Sequence, residues 1–189
     1  MQLLPLASEP LVAPTDRDML PSERRTFVRT HRTCVFGYAR RVDGPSMSIV
    51  YYIPTDEDEL LISTMGGRAK TKAVARSGKV SLCILDERWP FAYLQVYCDA
   101  RVDADPDLVV DVMMAVAGRM SGQPLPHEAR PVVQTMSEEE GRVVLRCRPY
   151  STFAQPPRHL HRNDQAEQIT HWITKTMPWN ACDENRSVP

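Results

Sequence analysis

Long apolar runs are missing from this chain. No stretch of ~18 apolar residues occurs, so no membrane-spanning helix is expected. An excess of one charge is missing too: 23 Lys and Arg stand against 24 Asp and Glu, so no overall field points to nucleic acid or an anionic membrane surface. The stretch Met1–Pro14 is apolar and proline-rich but has no cationic start, and it reads as an extended arm rather than a signal peptide. There is no Cys-x-x-Cys pair. The five cysteines, at 34, 83, 98, 147 and 182, are scattered and odd in number. They read as small buried hydrophobes in a reducing cytoplasm, not as a disulfide framework. The histidines at 127, 159, 161 and 171 lack ligand spacing, so no metal is expected. No Gly-x-Ser-x-Gly elbow, nucleotide-binding loop or His-Glu-x-x-His is found, and nucleophilic catalysis has no local signal.

What is present is a run of short strands. The 189 residues, 42% hydrophobic and 25% charged, suit one compact domain. A helix is expected from Pro21 to Arg29, with Ser22 as its N-cap. Thr33–Arg41 and Ser46–Ile53 are apolar and β-branched, and Asp43-Gly44 between them is a hairpin signal. Strands are expected at Glu59–Thr64, Lys79–Asp86, Ala92–Val102 and Gly141–Arg148. In the longest, Leu94, Val96, Cys98, Ala100 and Val102 share one face, the pattern of an antiparallel strand with one buried side. Helices are expected at Arg68–Arg76, from Asp105 to about Met120, and at Glu128–Met136. The helix after Asp105 places Leu108, Val112, Ala115 and Val116 on one face. Six strands with few helices predict a mainly β (α+β) fold, a small closed antiparallel barrel with peripheral helices. The organisation expected is an N-terminal arm over 1–20, the barrel over 21–154 and a C-terminal appendage over 155–189, packed on a partner subunit.

The most informative segment runs from Leu60 to Val74. A strand enters Ser63-Thr64-Met65, a Gly66-Gly67 turn follows, and a helix then starts with Arg68, Lys70 and Lys72 close together. Free backbone N–H groups, two hydroxyls and several cations converge there, which is how a chain grips a phosphate. Arg68 and Lys70 are the first choice for that role. The hydroxyls of Ser63 and Thr64 either join them or cap the helix. Lys72 and Arg76, four apart, read as its solvent side.

The stretch Gly67-Arg68-Ala69-Lys70-Thr71-Lys72-Ala73-Val74-Ala75-Arg76 resembles the Arg-Ala-Lys-x-x-Asn-Leu-x-Arg signature of a branch of the split-barrel flavin/deazaflavin oxidoreductases. These are relatives of pyridoxamine 5′-phosphate oxidase, and the branch uses the deazaflavin coenzyme F-420. Gly44–Tyr51 and Trp89-Pro90-Phe91-Ala92-Tyr93 support the resemblance, which covers about residues 22–150. Ala73 stands where the branch has Asn, Ser77-Gly78 where it has Asp-Pro, and Cys98 where it has Gly.

The resemblance implies a six-stranded split β-barrel of the FMN-binding type. It also implies a homodimer with cofactor sites at the interface, and hydride transfer from reduced F-420, or from FMN as the alternative, to an unsaturated or conjugated organic acceptor. A non-enzymatic carrier of either cofactor is a third reading. The backbone of Met47, Ser48, Ile49 and Val50 is then expected along the polar edge of the cofactor ring. Ser63, Thr64, Met65, Arg68, Ala69 and Lys70 would lie at its phosphate, with Trp89 and Tyr93 as pocket walls. Tyr51 and Tyr93 are the proton donors the sequence offers, and no catalytic residue is assigned.

Overall fold

Alternating apolar residues build a curled antiparallel sheet in the computed structural model, which describes residues 18–88, 92–155 and 175–183. Helix α1 (Pro21–Thr30) leads into β1 (Thr33–Tyr38), β2 (Ser46–Tyr51), β3 (Ile53–Pro54) and β4 (Leu60–Met65). Helix α2 (Ala69–Ser77), β5 (Lys79–Asp86), β6 (Ala92–Asp103) and α3 (Pro106–Ser121) follow. After a short 3-10 turn come α4 (Arg130–Glu139), β7 (Arg142–Gln155) and β8 (Met177–Pro178). The order across the sheet is β2-β1-β5-β6-β7-β4-β3, with β8 added to β7. Six strands are full-length and two are two-residue additions, so the expected split-barrel architecture is present.

The barrel interior is filled from five of the six long strands, by Cys34 and Phe36, Leu60 and Ile62, Leu82 and Ile84, Leu94, Val96 and Cys98, and Leu145 and Cys147, with the partly buried Val50 of β2 packed against them. Phe27 and Val28 of α1 close one end, and the fully buried Tyr52 donates its hydroxyl to Val28 O at 2.6 Å. Helix α3 covers the opposite sheet face. Its Val109 and Val112 pack on Leu61 of β4 and Val144 of β7. Burial pushes the Cys34 thiol up to about 12 and the Cys98 and Cys147 thiols well above the ordinary value, so these are inert packing groups. Among the described residues every cysteine is a free thiol.

Local differences from the sequence expectation have identifiable causes. Leu20, not Ser22, occupies the N-cap of α1, because Glu23 turns back to accept from Leu20 N at 2.7 Å. Strand β7 does not stop near Arg148 but runs to Gln155. It accommodates Pro149 at a bulge, where register passes from Tyr97↔Ser151 to Cys98↔Pro149. Strand β1 ends at Tyr38 rather than Arg41, so residues 39–45 form a longer connection to β2, in which Asp43 has φ 69° and Gly44 has no positive φ, unlike the two-residue Asp-Gly turn.

Part of each expected terminal segment belongs to the core. Met19 is fully buried, and Trp179 packs against the barrel cluster, its backbone N–H donating to Tyr150 O at 3.1 Å. The guanidinium of Arg24 ties these pieces together, bonding Met19 O, Thr152 O and Oγ1, and both oxygens of Asp18. The remainder of both segments lies outside the described residues, and so does Trp89.

Candidate functional site

Strand β2, at one end of the sheet path, approaches β4, next to the other end, without pairing with it, and α3 lies beside the gap. A cavity of about 380 Å³ occupies this split. Its walls are Ile49, Val50 and Tyr51 of β2, Ser63 and Thr64 of β4, and Arg68 and Lys70 at the start of α2. Met113, Val116, Ala117 and Met120 of α3 form an apolar side, and Arg142, the first residue of β7, completes the lining.

Two glycine turns bring these cations to one place. Gly66 N donates to Gly141 O at 2.8 Å, and a Cβ at Gly66 would stand 3.3 Å from that oxygen. Gly141 itself has φ 57°, a conformation side chains disfavour. The turn after β4 and the turn before β7 therefore dock on each other, which places Arg68 and Arg142 at the same cavity. Met65 O fixes the first turn by accepting from Arg68 N at 3.2 Å and from Thr71 Oγ1 at 2.9 Å. Arg68 occupies the N-cap of α2, and no side chain caps the helix. Of the two uses open to Ser63 and Thr64, helix capping is not made. The first N–H groups and the positive end of the α2 dipole are left without a capping side chain.

The electrostatics are one-sided. Among the described residues three cations line the cavity and no carboxylate does. Lys70 Nζ donates to Ser48 Oγ at 2.8 Å and lies 5.7 Å from the Phe36 ring centroid. Burial, and secondarily the nearby Arg68, hold the Lys70 ammonium below the ordinary lysine range. An anion beside it would relieve both effects. Arg142 is partly balanced, its Nε donating to Glu140 Oε2 at 2.5 Å. Ser63 Oγ is buried and has no hydrogen-bond partner among the described residues. Such a group costs about 1–3 kcal/mol unless something satisfies it. A buried orphan hydroxyl beside unpaired cations fits an anionic oxygen.

The structure gathers Ile49, Val50, Ser63, Thr64, Arg68 and Lys70 at this cavity, with Ser48 holding Lys70. Tyr51 also lines it. It does not gather all the candidates. Met47 points outward and is 69% exposed. Tyr93 packs its ring 6.4 Å from Phe153. Ala69 lines a second, basic cavity of about 430 Å³ with Tyr38, Arg40, Arg41, Lys72 and Arg76. Lys72 and Arg76 thus border a cleft rather than a plain solvent face. Sequence reasoning missed Arg142 and the α3 wall. Met113, Val116 and Met120 have a helical spacing that is readable, but nothing local says the stripe faces a cavity. Among the described residues no group of His, Cys, Asp and Glu is placed to hold a metal ion, and no helix is long and apolar enough to cross a membrane.

Solved structures share this fold. A conserved hypothetical protein from Mycobacterium tuberculosis is 21% identical with a TM-score of 0.65, over 80% of this chain and 97% of its own. A heme binding protein from Mycobacterium smegmatis is 11% identical with a TM-score of 0.56, over 87% of this chain and 60% of its own. An F420 reductase is 16% identical with a TM-score of 0.52, over 68% of this chain and 94% of its own. At these identities the likeness is one of fold. No curated protein matches the sequence. A family model, that of pyridoxamine 5′-phosphate oxidase, matches residues 20–155. That span includes the whole sheet except β8, both glycine turns and every lining residue of the cavity, and the chain belongs to the pyridoxamine 5′-phosphate oxidase family.

Proposed function

We propose that this chain is an oxidoreductase that binds a flavin-type cofactor in the split of its barrel, with the cofactor phosphate against Arg68, Lys70, Ser63 and Thr64. The observation that carries the reading is a cavity where Arg68 and Lys70 stand near a buried Ser63 hydroxyl that has no partner among the described residues, and whose described lining holds no carboxylate. When bound, such a cofactor supplies the hydride chemistry. The chain's own residues bind, orient and shield. Lys70 and Arg68 supply a point charge and a fork suited to a phosphate, and Ser48 orients the Lys70 ammonium. The backbone from Met47 to Val50 is assigned to the polar edge of the ring. Met113, Val116 and Met120 keep water from the reacting face, and Tyr51 holds a phenolic proton at the cavity wall.

F-420 is the proposed cofactor and FMN the alternative. FMN carries one phosphate, whereas F-420 carries a phosphate followed by a chain of carboxylates. The second basic cavity, reached at Ala69 across the first turn of α2, favours a ligand with more than one anionic group. We also assign a second copy of the chain to the open side of the site. Met47 and Ile49 are 69% and 77% exposed on the edge strand β2, and Ile49 is at once a cavity wall and an outward-facing residue. A competition titration of purified protein with F-420 and FMN, read by fluorescence, tests the cofactor. Tight F-420 binding supports the assignment, and FMN binding with none of F-420 replaces it by the alternative. Binding of either cofactor without turnover of any acceptor favours a carrier.

A further inference from the structure

Resting on that cofactor reading, we propose that Arg142 selects the acceptor, and that the substrate is an organic molecule with an apolar body and one anionic end, a carboxylate or its equivalent. Ser63 pairs with Val144 and Met65 with Arg142, so these four residues share one face of the β4–β7 ladder. Leu61 lies on that face as well, and Leu61 and Val144 are the residues on which α3 packs. Arg142 therefore rises from the sheet on the α3 side of the cavity. Lys70 comes from α2 and is tied to β2 through Ser48. The cations of the cavity are thus carried by different elements, Arg142 by the start of β7 and Arg68 and Lys70 by the start of α2.

Arg142 is built to receive a ligand. Glu140 takes its Nε at 2.5 Å, which orients the guanidinium plane. Among the described residues its two terminal nitrogens bond to no protein group. They form the fork that matches a carboxylate with two parallel hydrogen bonds. The adjoining wall is Met113, Val116 and Met120, unbranched and small apolar groups that suit a non-polar body. A phosphate held at Lys70 and Arg68 leaves Arg142 for the acceptor. A neutral acceptor would leave the fork half-desolvated and unused.

A matched pair of probes tests this: cinnamate and methyl cinnamate, which share an apolar body and differ in one charge. Their binding is measured by calorimetry to the protein loaded with whichever of F-420 or FMN it binds. The expected result is that the wild type prefers the acid by about tenfold or more, as for a charge-assisted pair. Arg142→Gln is expected to erase that preference while changing cofactor affinity by less than about twofold, and Arg142→Lys to restore part of it, charge without the fork. Equal binding of acid and ester to the wild type overturns the proposal. So does a large loss of cofactor affinity in Arg142→Gln with the acid–ester ratio unchanged, which would make Arg142 a cofactor ligand. If neither cofactor binds the wild type, the cofactor reading fails by itself, and the same pair of probes on the protein alone still decides whether Arg142 binds an anion.

Discussion

Two arginines on one face of β7, four residues apart, behave in opposite ways. Arg146 is closed: its Nε and Nη2 donate to Glu59 and its Nη1 to Asp103 at 3.3 Å, so every nitrogen has an acceptor. Arg142 is open: Glu140 takes one nitrogen, the other two bond to no protein group among the described residues, and the residue lines the cavity. The same split recurs elsewhere. Arg130 is held by Asp107 and Asp111, and Arg24 by Asp18 and four neutral oxygens, whereas Arg68 and Lys70 have no carboxylate partner among the described residues. Closed cations hold elements together. Open ones, gathered where the sheet fails to close, retain the free energy of pairing for a ligand.

That contrast can be broken by substitution, and the largest effect is expected at the most enclosed cation. Arg24→Met should cost about 3–5 kcal/mol of stability, because it strands a partly buried Asp18 and unsatisfied backbone oxygens. Urea denaturation reads this. Lys70→Ala should do the reverse. Cofactor affinity should fall about ten- to a hundredfold, or about 1.5–3 kcal/mol, while the urea midpoint stays within about 0.5 kcal/mol of wild type. Arg146→Gln should lower stability by about 1–2 kcal/mol, since it leaves the buried Glu59 short of its charged partner, and should leave cofactor affinity alone. A mutant that loses binding at Arg146 or stability at Lys70 would erase the distinction.

The smallest effect is in pH. Burial and Arg68 hold the Lys70 pKa below the ordinary 10.5 in the ligand-free protein, and a bound phosphate favours the charged form. Affinity should therefore be constant at neutral pH and fall as pH rises through the lowered pKa, before ordinary lysines titrate. Cofactor titrations from neutral pH upward check this, and Lys70→Ala should flatten the profile.

Much of the fold was legible in the sequence because its signals are local. Strand β5 has the expected limits, the β1–β2 hairpin forms where expected though through a longer connection, and the alternation of β6 separates buried from exposed residues as read. The phosphate grip was legible for the same reason: Ser63 to Lys70 are eight consecutive residues. What escaped depends on non-local contacts. Pro149 argues against a strand until a bulge accommodates it. Arg142 reads as one more strand-start cation until Gly141 docks on Gly66, 75 residues earlier in the chain. The stripe of α3 reads as a core face, and only the gap between β2 and β4 turns its last two turns into a cavity wall.

The most direct test of the central claim is a fluorescence titration of F-420 into wild type, Lys70→Ala and Arg146→Gln, side by side with their urea midpoints. The open-cation account predicts tight binding to the wild type and to Arg146→Gln, a loss of about ten- to a hundredfold in Lys70→Ala, and reduced stability in Arg146→Gln alone. Unchanged affinity in Lys70→Ala, beside a tightly binding wild type, would contradict it and move the phosphate away from the split between β2 and β4.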